Sequence, residues 1–219
     1  RIHPDRVLPL VTYLKIEVTS HPLSLQFFEN SNQLKKLFQL NLLFHNIPNK
    51  ELAKNLEKIA DITSLKSLYI SFLEEWDTKP LDLIFKTLRL PTSLNKLDLE
   101  LKHINFEDNE AWSSEKNPYE GLDSLHQFLL SLQNSSLKEF SIRLNFFEET
   151  NIFFLESLLS RMQKLQKLKI VCTYEEELDL GRLITTCPSA FSQLKTLIVE
   201  SQHIRVDPSC SIITQFYDL

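Results

Sequence analysis

The chain has 219 residues, 42% of them hydrophobic, and a formal net charge of −5 at neutral pH. That apolar content is ample for a core, and the acidic balance argues against nucleic-acid binding, which needs a basic face to release counterions from phosphates. Its two glycines, Gly121 and Gly181, are sixty residues apart, which excludes a phosphate-binding loop or a dinucleotide fingerprint.

Residues 1–10 hold two arginines, a histidine, an aspartate and two prolines, so they form no signal-peptide core and read as an irregular lead-in. Met162 is the only methionine, and the chain is expected to be a processed product or part of a longer protein. The first regular signal is Val11, Leu14, Ile16 and Val18, apolar residues at relative positions 1, 4, 6 and 8. Side chains alternate faces along a strand, so the last three share one side, and that side is predicted to be buried. The same spacing returns at Leu37/Leu40/Leu42/Phe44, Leu65/Leu68/Ile70/Phe72, Leu94/Leu97/Leu99/Leu101, Leu137/Phe140/Ile142/Leu144, Leu165/Leu168/Ile170/Cys172 and Leu194/Leu197/Val199/Ser201. The starts at 11, 37, 65, 94, 137, 165 and 194 lie 26, 28, 29, 43, 28 and 29 residues apart.

Between strands the spacing turns helical, as at Leu52, Leu56 and Ile59, or Leu122, Leu125, Phe128, Leu129 and Leu132. A first helix is expected around Leu23 to Asn32. A second should be capped by Asn49, and a third by Asp77 and Thr78 ahead of Pro80. The long interval after Leu94 contains an insertion, 105–120, polar and acidic and without a sustained period. It is expected to be a loop leaving the strand end, with a fourth helix starting at Asn117 and Pro118. After the last strand, Ile212, Ile213, Phe216 and Tyr217 could pack as a final helix.

Seven L-x-x-L-x-L units at near-constant spacing resemble the leucine-rich repeat, and their length is similar to that of the ribonuclease-inhibitor-like subfamily. The resemblance covers Val11 to Ile204. It implies an α/β fold: one solenoid domain over 1–219, a short horseshoe with about seven parallel strands on the concave face and helices on the convex face. The family pattern also expects Asn or Cys just beyond the strand; Asn46, His103 and His203 occupy that position, while Glu74, Phe146 and Tyr174 depart from it. A turn-stabilising role is expected of these histidines. His103 and His203 lie three strand intervals apart, about 14 Å, too far to share a metal.

No nucleophile motif or zinc-ligand spacing occurs, so the chain reads as no enzyme, with no cofactor or metal. Cys172, Cys187 and Cys210 give no disulfide framework, and Cys172 reads as a small core hydrophobe. Without a run of 18 uncharged apolar residues there is no spanning helix, and an intracellular, most naturally cytoplasmic, setting is expected.

Open-face strand positions mix charges and apolar residues: Leu43, Tyr69, Val171 and Ile198 are candidate contact points, and Glu100 with Arg143 a cross-strand pair. Superposing the repeats brings out acids after strands three to six: Glu74, Glu75 and Asp77; Glu107, Asp108 and Glu110; Glu148 and Glu149; Glu175, Glu176 and Glu177. Acids there complement helix dipoles, and they also form a candidate docking edge with Trp76 and Trp112 as aromatic anchors. The expected function is a protein–protein interaction module, a scaffold or subunit of a larger hetero-oligomeric complex, whose partner presents a basic surface. The resemblance also admits the substrate-recognition part of an F-box-type ubiquitin ligase, or a GTPase-activating protein of ribonuclease-inhibitor-like type.

Overall fold

The computed structural model describes residues 10–18, 34–45, 56–73, 78–101, 127–128, 137–144, 155, 159, 162, 164–172, 177–201 and 203–205. Each apolar repeat becomes one strand of a single open sheet: β1 (Tyr13–Val18), β2 (Gln39–Phe44), β3 (Ser67–Phe72), β4 (Lys96–Glu100), β5 (Glu139–Leu144), β6 (Lys167–Cys172) and β8 (Thr196–Glu200). Neighbours in the sheet follow chain order and every pair is parallel, so each repeat adds one strand beside the last.

The register matches equivalent repeat positions. Leu14, Leu40, Leu68, Leu97, Phe140, Leu168 and Leu197 form one row across all seven strands. On β2 to β6 these residues are at most 1% exposed, and Leu99 and Leu101 are buried beside them, as the spacing predicts. A backbone ladder fixes the register from the strands' N-terminal side. The carbonyl of Thr12 accepts the N–H groups of Phe38 and Gln39 at 2.8 and 3.0 Å, and carbonyls of Phe38, Lys66, Asn95, Lys138 and Gln166 repeat the double bond.

Behind the sheet, α1 (Thr78–Thr87) delivers Ile84 and Phe85 to the core, with Leu88 just past its end. The helix forms where Asp77, Thr78 and Pro80 predict it. Phe44 stacks on Phe72 with centroids 5.2 Å apart, and Phe72, Phe85 and Phe128 continue an aromatic spine at 6.2 and 5.1 Å. Ahead of β3 the helical pattern tightens into a 3-10 turn, Glu57–Asp61, which buries Ile59. The last interval is occupied by α2 (Leu180–Thr186) and α3 (Pro188–Phe191). Asp179 Oδ1 caps α2 by accepting the Arg182 N–H at 2.8 Å, and Pro188 opens α3.

Two findings depart from the sequence reading. His203, expected in a turn, begins β9 (His203–Arg205), which pairs in parallel with β7 (Glu177–Asp179) to make a second, two-stranded sheet. Chain leaving β6 and chain leaving β8 run side by side, and pairing satisfies their backbone groups. The second is a tie between repeats ahead of the strands, which the spacing did not predict; Asn46 and His103, at the post-strand position, lie outside the described residues. Ser64 Oγ donates to the Leu37 and Leu34 carbonyls at 2.8 and 3.1 Å, and Ser93 Oγ donates to the Leu65 carbonyl at 2.8 Å, each reaching back one repeat. The expected first helix, the Asn49 cap, the insertion and the final helix lie outside the described residues.

Candidate functional site

The open face of the sheet is built by the residues that alternate with the core leucines. Three rows cross it, the middle one running Lys15, Asn41, Tyr69, Asp98, Ser141, Lys169 and Ile198. The row nearest the strands' C-terminal ends reads Glu17, Leu43, Ser71, Glu100, Arg143, Val171 and Glu200.

The charges on this face pair among themselves. Lys15 meets Glu17 at 3.7 Å, Lys96 meets Asp98 at 3.0 Å, Arg143 meets Glu100 at 3.1 Å, Lys167 meets Glu139 at 3.9 Å and Lys169 meets Glu200 at 2.6 Å. Five cations thus neutralise five anions. Uncharged polar groups also bond across β1 and β2: Gln39 Nε2 donates to Asn41 Oδ1 at 3.2 Å, and Asn41 Nδ2 donates to the Tyr13 hydroxyl at 3.3 Å.

Glu100 is the most enclosed of these charges, its side chain 12% exposed. The Tyr69 hydroxyl donates to its Oε2 and Arg143 Nη1 to its Oε1, so β3, β4 and β5 are joined by one carboxylate. Burial first, and donation to the Glu100 carboxylate second, push the Tyr69 phenol above its ordinary pKa.

Of the residues singled out as partner contacts, the described structure contains Leu43, Tyr69, Val171 and Ile198 on the open face and Glu177 in β7, opposite His203. Tyr69 is half-buried on the open face and held by Glu100. Leu43, read as a solvent-side contact point, is 8% exposed, and Val171 in the same row is 5% exposed. Trp76, Trp112, Glu74, Glu75, Asp77, Glu107, Asp108, Glu110, Glu148, Glu149, Glu175 and Glu176 lie outside the described residues. What the fold does fix is where their segments start: β3, β4, β5 and β6 are parallel neighbours in register, so the chain leaves all four along one edge, about 4.8 Å apart. Among the described residues no group of three His, Cys, Asp or Glu could hold a metal ion, and no helix is long and apolar enough to cross a membrane. Cys172 and Cys187 are buried free thiols.

Seven parallel strands added one per repeat, with helices behind them, define an α/β architecture of the leucine-rich-repeat-like kind. No family model matches the chain, and no curated protein matches it. Among solved structures it is similar to one described as leiomodin-1 actin-binding site 2, at 17% identity, over 80% of this chain and 90% of that one, with a TM-score of 0.43. The register of the sheet, and not that likeness, defines the fold.

Proposed function

We propose that this chain is a single leucine-rich-repeat domain of the ribonuclease-inhibitor-like kind, a short horseshoe serving as a non-catalytic protein–protein interaction module. It acts inside the cell as a scaffold or subunit of a larger assembly, and takes neither nucleic acid nor a cofactor. The partner presents a basic surface to the strand-exit edge. There Glu74 and Glu75, Glu107, Asp108 and Glu110, Glu148 and Glu149, and Glu175 and Glu176 supply charge, and Trp76 and Trp112 supply apolar anchors.

The observation that supports this edge is the internal pairing of the open face. Five cations and five anions cancel there, whereas the whole chain carries −5. The acidic surplus therefore belongs to other surfaces, and four successive strands send acid-bearing segments from one edge of the sheet. The test is to delete Phe106 to Lys116, verify by circular dichroism that the sheet persists, and compare partners captured by the whole and shortened chains. Loss of partners supports the edge, and an unchanged partner list rejects it.

A further inference from the structure

The turns that enter the strands are basic. One row can be traced bond by bond along this strand-entry edge: starting from Phe38, the N–H groups of Lys66, Asn95, Lys138, Gln166 and Lys195 each donate to the carbonyl of the member before, at 2.7 to 2.9 Å. Lysine thus stands ahead of alternate strands, β3, β5 and β8, about 10 Å apart, with neutral amides between. Lys138 and Lys195 are exposed and Lys66 is half-buried, and none of the three has an ion-pair partner among the described residues. Exposed Lys35 and Lys36, just ahead of Phe38, and Lys164, just ahead of Gln166, add to the same turns. Among the described residues the acids on this edge are Asp61 and Glu139, and Glu139 already meets Lys167 at 3.9 Å.

Apolar exposure gathers at one end of this row. Phe38 is 57% exposed and donates its N–H to the Thr12 carbonyl, which places it beside Tyr13 at 51% and close to Leu10 at 68%; these are three of the five large hydrophobics that the described structure leaves exposed. The chemistry of a partner follows from the rest. Backbone groups along the row are already bonded to one another, so recognition falls to side chains. In the adjoining row Lys96 is neutralised by Asp98 and Lys167 by Glu139, which leaves the free positive charge as a narrow strip, about 24 Å long over five strand intervals. A flat lipid surface meets few of its headgroups along such a strip, and a chain carrying −5 repels a polyphosphate backbone. An extended polypeptide covers the same length with about seven or eight residues.

We infer that the strand-entry edge binds an extended acidic segment of a partner protein, whose carboxylates pair with Lys66, Lys138 and Lys195 and whose apolar end rests on Phe38. This goes beyond the strand-exit reading. The edge, the sign of the charge and the residues tested all differ, so either can fail alone.

The test uses the whole chain and two fluorescein-labelled probes, octaglutamate alone and octaglutamate extended at one end by a leucine. Fluorescence anisotropy at low salt is expected to show saturable binding of both, tighter for the extended probe. Lys66→Gln with Lys138→Gln and Lys195→Gln is expected to weaken that binding by about tenfold or more. The same change of charge on other faces, Lys15→Gln with Lys58→Gln and Lys86→Gln, is expected to cost less than about threefold, because those charges act only through screened, long-range attraction. Phe38→Ala is expected to erase the advantage of the extended probe and to leave octaglutamate binding as it was. Circular dichroism verifies the sheet in each variant; should the first triple variant not fold, Lys138→Gln with Lys195→Gln, both exposed, takes its place. Failure of the whole chain to bind either probe, or equal losses in the two triple variants, overturns the inference. So does capture by phosphatidylserine vesicles while neither peptide binds. An advantage of the extended probe that survives Phe38→Ala rejects the apolar contact.

Discussion

Glu100 shows how a charge is kept on a sheet face with little water around it. A carboxylate that enclosed loses hydration, and it persists as an anion where charged or strongly polar donors replace the water; here Tyr69 and Arg143 do so. Replacing Tyr69 by Phe removes one donor without opening a cavity. The expected loss is about 1 to 2 kcal/mol, below the full value of a hydrogen bond to a buried charge because the phenol is only half-buried. Urea denaturation of the two proteins measures it. The raised phenol pKa adds a sign: the folded state holds the proton more tightly than the unfolded state. That contribution is complete below about pH 10 and is lost as pH rises through the folded value, so wild type is expected to lose stability above pH 10 more steeply than Tyr69→Phe. The Glu100 and Arg143 pair was legible as two opposite charges at one repeat position. Tyr69 was not legible as their third member, because its bond depends on which rotamers the sheet leaves open.

Strands were the most legible elements, since a period of two that returns after 26 to 29 residues in five of the six intervals leaves few alternatives to a stacked parallel sheet. The segments β7 and β9 were missed because Glu-Leu-Asp and His-Ile-Arg are three residues each with no apolar alternation; only the preceding two strands bring them together. The serine ties were missed for a similar reason. Thr63-Ser64-Leu65 and Thr92-Ser93-Leu94 do recur ahead of β3 and β4, but an acceptor 27 or 28 residues back is invisible until the repeats are stacked. Within an element, the core-facing leucines carry the energy. Leu99, 2% exposed at the centre of β4, is expected to lose 2 to about 5 kcal/mol on replacement by Ala, from transfer and the cavity left behind. A loss under about 1 kcal/mol in chemical denaturation would mean the core relaxes around β4 far more freely than close packing allows. Ser93→Ala, which removes the part-buried hydrogen bond to the Leu65 carbonyl, is expected to cost about 0.5 to 1.5 kcal/mol in the same assay.

A molecule assembled by adding strands has unequal ends and centre. Leu14 and Ile16 on β1, and Leu197 and Val199 on β8, are only partly buried, whereas their counterparts on β2 to β6 are enclosed. Each unit contacts mainly its neighbours, so amides of β3, β4 and β5 are expected to exchange with deuterium most slowly, and those of β1 and β8 first. Charge is divided on the same scale: the open face is internally neutral, and the surplus of −5 must act from elsewhere. The strand-exit acids were legible as a recurrence after repeats three to six, but not their placement, since segments without an apolar period have no face to dictate how they lie. If they form the docking edge, exposed charges several residues apart dominate encounter, and their attraction falls as the Debye length shrinks from about 10 Å at 0.1 M salt to about 3 Å at 1 M. Association is therefore expected to weaken steadily with salt. Desolvation of an aromatic anchor is short-ranged and insensitive to that screening, so Trp112→Ala is expected to weaken binding at every salt concentration, by about tenfold or more for a hot-spot residue. Lys86→Ala on the outer face of α1, where the side chain is exposed, is expected to leave affinity unchanged. Titration calorimetry of the three proteins against a captured partner separates the cases: equal affinities for Trp112→Ala and wild type remove the anchor, and salt-independent binding removes the acidic edge.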